Sequence, residues 1–296
     1  MTTAVPVLRL AAADSVLITA RERFAAGELP VFGSVFADRQ TAGHGQYGRA
    51  WESREGNVHG AVRLPAKGVW ASPASAAALA ALIADELNAL GFLVRLKWPN
   101  DLVVLQGGRP AKAGGILIEE RGGLLTAGVG LNLNWAPPVE TLREGAALPP
   151  GRLADADPTE SAPAAREADS FVLWNRIVRR IAAEDPAALL LDWREAAAGR
   201  LLWQGETVEV ADPEGPGSGR LEGRLLGLSE TGELVLQAGA RTFSLIRGSI
   251  ARADRGGGLR KRERKAPVPD LLHNIITRRP RRLPSEGDAA PQGGGL

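Results

Sequence analysis

Lys97, Asn100 and Asp101 fall within five consecutive positions of the stretch KWPNDLVV, with an aromatic and a rigid proline between them. A turn that presents an ammonium, an amide and a carboxylate together offers donors for phosphate and a carboxylate for Mg²⁺ or for a proton. Further along, AKAGGILIEE sets Lys112 just ahead of Gly114 and Gly115 and an apolar run. A lysine there can point into a cleft beside a closely approached ligand. The same residues would also serve an ordinary capped turn and a solvated lysine, so the rest of the chain has to decide.

A third stretch, TAGHGQYGRAW, has Gly43, Gly45 and Gly48 in the G-x-G-x-x-G spacing of dinucleotide-binding loops. That reading requires a preceding strand, a helix opening at the loop, and an acidic residue about twenty positions on. Only the strand is supplied: RAWESREGN is broken by Gly56, and position 68 is glycine. A P-loop motif is also absent. What remains is a backbone-exposing loop with Arg49 for an anion and Trp51 as an aromatic surface for a planar ring.

The elements that must position these groups are legible from periodicity. AADSVLITARERFAAG predicts a helix, capped by Asp14 or Ser15 and ended by Gly27. SPASAAALAALIADELNALG predicts a second, with Ser72 as N-cap, Pro73 at the first helical position and Gly91 past the end. PVFGSVFADRQ and NVHGAVRLP read as strands around the glycine loop. FLVRLKWP, LVVLQ, GGILIEER and LLTAGVGLNLN read as a meander joined by Gly-rich turns. Helices with a meandering sheet predict an α+β fold with a mixed or antiparallel sheet. Residues 136–169 lack periodicity and read as a long surface loop, after which FVLWNRIVRRIAAEDPAALLLDWREAA returns to helical spacing. From 201 to 251, short strands and turns predict a small barrel-like domain. The expected division is a catalytic domain over 1–200, this small domain over 201–251, and a basic, disordered tail over 252–296.

Composition narrows the chemistry. The chain of 296 residues has no cysteine, which excludes disulfides, thiolate metal sites and thiol catalysis, and only three histidines (His44, His59, His273). No secretion signal or membrane-spanning run is evident, so the cytoplasm is the expected compartment. The net charge of +2 conceals an uneven distribution: residues 252–282 carry eleven Lys/Arg against three Asp/Glu, so the remainder is acidic overall. The basic tail permits a nucleic-acid-binding alternative, although clustered cations without interleaved aromatics more often mark a solvated end.

The GHGQYGRAW loop, KWPNDL, KAGGILIE and GVGLNLN, four ordered motifs within residues 10–251, resemble the biotin protein ligases. The resemblance implies a synthetase-like α+β catalytic domain with a small SH3-like C-terminal domain. It implies activation of biotin by ATP and Mg²⁺ to biotinyl-adenylate, then transfer to a lysine of a biotin carboxyl carrier domain, such as that of acetyl-CoA carboxylase. By this resemblance Lys112, Arg49 and Asp101 are catalytic, with Asp101 assigned to metal or acceptor-lysine handling. Ser15, Gln40, Gly43, His44, Gly45, Gln46, Lys112, Gly114 and Gly115 hold biotin. Arg49, Trp51, Lys97, Asn100 and Asn132 contact ATP. His44, Gln46 and Tyr47 depart from an arginine-rich family loop, with Arg54 or Lys97 as possible compensation, and Val16 and Leu17 replace two polar residues of a family D-S-T-N element. A lipoate or octanoate ligase is the nearest alternative, but its R-R-x-S-G-G-G element is absent. A catalytic segment starting near residue 10 leaves no room for an N-terminal winged helix, so specific DNA binding is not expected; a homodimer is compatible with the family.

Overall fold

The computed structural model describes residues 5–138, 148–158, 169–211 and 220–253. Of the tail assigned to 252–296, Arg252 and Ala253 are described, Arg252 as the end of a strand, and residues 254–296 lie outside the described residues. Two sheets organise the chain. The larger is built from β1 (Val7–Leu10), β2 (Ser34–Ala37), β3 (Val58–Leu64), β4 (Val94–Lys97), β5 (Asp101–Gln106), β6 (Arg109–Arg121) and β7 (Leu124–Leu131), in the order β1-β2-β3-β7-β6-β5-β4. Only β1 and β2 run parallel; every other pair is antiparallel, with short turns joining β4 to β7: Trp98-Pro99-Asn100, then Gly107-Gly108 and Gly122-Gly123. β1 has no counterpart among the sequence expectations, because four residues at a sheet edge are too few for a period to register.

Helices cover both faces of this sheet. A Cβ added at Gly128 would strike Leu17 of α1 (Val16–Ala25), whereas one at Gly60, on the opposite pleat, would strike the indole of Trp174 in α3 (Ser170–Ala182). α2 (Ser75–Ala89) packs on the α3 side and is buried over most of its circumference by the sheet, α3 and α4 (Pro186–Ala198). Its alanines allow that close approach. The two acids that interrupt its apolar run are paired: Glu86 accepts from Arg176 at 2.7 Å, and Asp85 from Arg200 at 2.8 Å.

Several local expectations change in the folded chain. α2 starts at Ser75, because Ser72 and Pro73 form a preceding turn in which the Ser72 hydroxyl accepts from Ala74 N–H at 3.2 Å. At α1, Ser15 occupies the N-cap position without a side-chain cap; the free Val16 N–H donates instead to Gln40 Oε1 at 2.9 Å. The predicted helical run after 169 is two helices, divided where Asp185 caps α4 by accepting from Ala187 N–H. Residues 148–158 of the expected surface loop are stitched to the sheet: Lys112 N–H donates to Pro149 O, Gly151 N–H to Lys112 O, and Leu153 is fully buried. Single non-local bridges of this kind leave no periodicity in sequence.

The second sheet contains β8 (Thr207–Ala211), β9 (Arg220–Leu228), β10 (Leu234–Ala238), β11 (Arg241–Leu245) and β12 (Ser249–Arg252), in the order β11-β10-β9-β8-β12. The last predicted strand is therefore two, which lie at opposite edges and are joined by a three-residue turn, so the sheet must curl strongly. It is moored beside the first sheet: Trp98 Nε1–H donates to Gly232 O at 2.9 Å, and Leu202 N–H donates to Leu96 O.

Candidate active site

The register of the large sheet sets five residues in one cross-strand row. Lys97 of β4 faces Asp101 of β5; Asp101 faces Gly115 of β6; Gly115 faces Gly130 of β7; and Gly130 faces His59 of β3. Directly paired residues share a sheet face, and this is the face that carries α1. The row therefore has a charged end, a floor of two glycines, and a histidine at the far end.

At the charged end, the Asp101 carboxylate takes two cations. Lys112 Nζ lies 2.6 Å from Oδ1, and Lys97 Nζ lies 3.4 Å from Oδ2. Burial pushes the Asp101 carboxyl up, but the two neighbouring ammonium groups outweigh it and hold the group below the ordinary carboxylate range. Lys97 is only 4% exposed, while Lys112 is more open and can meet a ligand. Lys112 Nζ also lies 5.9 Å from the centroid of the Trp51 ring. Trp51 lies on the glycine floor: a Cβ at Gly130 would approach its indole to 2.6 Å, and one at Gly115 would stand 3.8 Å from both the indole and the Lys112 ammonium.

Over this floor opens a cavity of about 1230 Å³. Its walls bring together Ser15, Gln40, His44, Gly45, Gln46, Arg49, Trp51, Lys97, Asn100, Asp101, Lys112, Gly115 and Asn132, from six separate stretches of chain. A cavity with both cations and an aromatic surface suits a ligand that combines a planar ring with a carboxylate or phosphate.

Residues 15–134 match the biotin/lipoate A/B protein ligase family. The chain is 30% identical over 230 residues to the biotin–acetyl-CoA-carboxylase ligase of Mycobacterium tuberculosis, covering 73% of this chain and 77% of that relative. The chain belongs to the biotin/lipoate protein ligase family. The chain is also 32% identical over 121 residues to the bifunctional ligase/repressor BirA of Bacillus subtilis; that match spans 35% of this chain and a third (33%) of that relative's length. In fold it is similar to the biotin protein ligase from Aquifex aeolicus in complex with biotin and ATP, with a TM-score of 0.59 and 23% identity over 84% of this chain and 99% of that one.

Two residues that the sequence resemblance assigned to biotin do not line the cavity. A Cβ at Gly114 would strike Leu131 and Gly130 O, so this glycine permits close packing within the sheet. Gly43 is packed inside its own loop, against Trp51 O and Gln40 Nε2. Others reach the cavity with part of their hydrogen-bonding capacity used. Gln40 donates to Ser53 Oγ at 3.0 Å besides capping α1; Asn100 donates to Ile116 O at 2.6 Å; Asn132 donates to Gly151 O at 3.2 Å. The glycine loop forms a short 3-10 turn over Gln46–Gly48, with Tyr47 in left-handed backbone (φ 59°) and 61% exposed. The Arg49 guanidinium stacks 5.0 Å from the Tyr47 ring, and His44 Nε2 approaches Glu119 Oε1 at 3.5 Å. Arg54 stacks on Trp135 and is not among the cavity's lining residues, so it does not replace the missing loop arginines in this arrangement.

Two supporting residues escaped sequence reasoning. Asn57 Oδ1 accepts from the N–H groups of Leu133, Asn134 and Trp135 at 3.0–3.1 Å, and so fixes the chain that leaves β7 past Asn132. His59 is 1% exposed; its Nδ1 lies 3.2 Å from Ala37 O, so Nδ1 carries the hydrogen and Nε2 is a buried acceptor without a partner. Burial pushes the His59 imidazole down, against the opposing effects of Ala37 O and Asp38. A polar residue alternating within an apolar strand, as in NVHGAV, was the available signal for His59.

Proposed function

We propose that this ligase activates biotin as biotinyl-5'-AMP and transfers it to a lysine of a biotin carboxyl carrier domain, with residues 1–200 as the catalytic domain. The observation that carries the reading is the pairing of the Lys112 ammonium with a two-glycine floor under Trp51, inside a cavity large enough for a nucleotide and a second ligand. The named relatives in Mycobacterium tuberculosis and Aquifex aeolicus point to biotin and ATP.

In the first step, a biotin carboxylate oxygen attacks the α-phosphorus of ATP. A new P–O bond forms, the bond to the β-phosphate oxygen breaks, and pyrophosphate leaves. Lys112 stands where it can neutralise both the carboxylate and the charge that grows on the phosphoryl oxygens. In the second step, the acceptor amine attacks the acyl carbon, AMP departs with the bonding pair, and the amine's proton passes to solvent as the amide forms. Asp101 keeps the Lys112 ammonium aimed. A carboxylate held below the ordinary range is a weak base near neutrality, so orientation suits it better than taking the acceptor's proton.

Asp101 does not fit as a metal ligand, because both of its oxygens face ammonium groups, and the described residues contain no group of three His, Asp or Glu able to hold a metal. Mg²⁺ belongs in this reading to the nucleotide's phosphates. No helix among the described residues is long and apolar enough to cross a membrane; ATP and a carrier domain as substrates suit the cytoplasm.

The test is acid-dependent ATP–pyrophosphate exchange with biotin, lipoate and octanoate compared. Biotin is expected to support exchange. Exchange with lipoate but not biotin would overturn the assignment.

A further inference from the structure

Glu119 lies two residues beyond Leu117 on β6, so its side chain leaves the same face of the sheet as a residue that lines the cavity, the face that carries α1. There its carboxylate joins two segments that are distant in sequence. Arg21 of α1 donates from a guanidinium nitrogen to Oε2 at 3.1 Å, and His44 of the glycine loop brings Nε2 to 3.5 Å from Oε1, at ion-pair distance. We propose that Glu119 is a positioning residue for the glycine loop: held by Arg21, it fixes His44 and through it sets Arg49 and Trp51 over the glycine floor. The inference rests on the biotin-activating reading above and gives a role to a residue that none of the sequence expectations singled out.

The loop can transmit that hold because it is a miniature hairpin. Trp51 N–H donates to Gly43 O at 2.8 Å, Gly45 N–H donates to Arg49 O at 2.8 Å, and His44 is bridged to Ala50 between them. A displacement of His44 therefore displaces the strand that carries Arg49 and Trp51. The root of the hairpin is tied separately, by Thr41 N–H to Ala13 O and Ala42 N–H to Asp14 O, while its tip is exposed from Tyr47 to Ala50. Bonds at one end of a hairpin permit it to hinge there. The Trp51 indole seats the returning strand on Gly130, and the His44 contact seats the outgoing strand on β6.

Glu119 is not among the cavity's lining residues, so it acts through the loop and not on a ligand. Its side chain is only 15% exposed, which strengthens its pairing with both partners. With its hydrogen on Nε2, His44 donates to the carboxylate when neutral and pairs with it more strongly as an imidazolium. An Arg21–Glu119 pair by itself would be an ordinary tie between α1 and the sheet. The third member extends the tie to a loop that supplies His44, Gly45, Gln46, Arg49 and Trp51 to the cavity wall. A ligand lying under that wall is released when the loop lifts.

The experiment compares wild type, Glu119→Gln, His44→Gln and the double variant on the full chain, each checked for native circular dichroism. Two quantities are read: the KM for biotin in ATP–pyrophosphate exchange, and the rate at which labelled biotinyl-adenylate formed on the enzyme passes into solution, followed by rapid filtration. Glu119→Gln keeps the shape of the side chain and removes its charge; it is expected to raise both quantities about 5- to 10-fold. The double variant should exceed Glu119→Gln by less than about twofold, because residues that act as one unit are not additive. A purely structural tie between α1 and β6 would leave the effect of His44→Gln undiminished in the Glu119→Gln background, and such additivity would overturn the proposal. So would adenylate release at the wild-type rate from folded Glu119→Gln, or from His44→Gln if the Glu119 variant does not fold. Absence of biotin-dependent exchange in the wild-type chain would instead refute the functional reading itself, and the two failures are thereby told apart.

Discussion

Asp101 and Lys112 form the tightest ion pair of the cavity, with 2.6 Å between Oδ1 and Nζ, and Lys97 approaches the other carboxylate oxygen. Lys112→Ala is expected to lower biotin-dependent exchange by about 10²- to 10³-fold, the scale for losing one preorganised charge at a developing anion. Its circular dichroism should stay native, because Lys112 is the more exposed partner. Exchange at the wild-type rate would show that the lysine has no part in adenylation.

The low Asp101 value also has a consequence for stability. A carboxyl held below its unfolded value of about 3.9 stabilises the fold above that pH and loses the contribution as pH falls through the folded value. Between pH 5 and 8 the pair should therefore contribute a constant amount. Urea unfolding of wild type and Asp101→Asn should differ by the same free energy throughout that range and converge only in stronger acid.

The His59 imidazole has the opposite chemistry. It is held neutral by burial, so below its unfolded pKa of about 6.5 the unfolded chain binds a proton that the folded chain resists. Stability should fall as pH drops from 6.5 towards the folded value, by up to about 1.4 kcal/mol per pH unit from this group. His59→Gln should flatten that slope between pH 7.5 and 5.5 in denaturant titrations; an identical slope would show that His59 does not set it.

Gly130 and Gly115 should respond differently to the same substitution. A methyl at Gly130 collides with the Trp51 indole at 2.6 Å, whereas one at Gly115 meets only ordinary contacts at 3.8 Å. Gly130→Ala is expected to displace Trp51, shift its fluorescence, and cost about 1–3 kcal/mol in overpacking. Gly115→Ala should leave the fold intact and raise only the KM values of ligands that use the floor. Equal effects of the two variants would contradict the geometry.

Asn57→Ala removes one oxygen that serves three backbone N–H groups. Leaving such donors without a partner costs ~1–3 kcal/mol for each one that water cannot reach, so a loss of about 3 kcal/mol in unfolding free energy is expected, with a higher KM for ATP through displacement of Asn132. Thermal denaturation together with exchange kinetics checks both parts.

The sequence by itself determined the elements whose pattern is local. The amphipathic spacing of α1 and α3, the apolar run of α2 with Gly91 at its end, and the alternating strands β5 to β7 each follow from side-chain period and turn chemistry within a few residues. It also identified Lys97, Asp101 and Lys112, because unusual polar residues were packed at a strand end and ahead of paired glycines. Only the tertiary structure decided the register that lines up Lys97, Asp101, Gly115, Gly130 and His59, since a one-residue slip of any strand would turn its residue to the other face. The structure likewise separated Gly115, open to the cavity, from Gly114, packed against Leu131, although the two are adjacent in sequence. Gln40 capping a helix 24 positions earlier, Asn57 clasping residues 133–135, and Glu119 meeting both Arg21 and His44 depend on contacts between distant segments. Such contacts leave no periodic trace in the chain, and packing alone selects them.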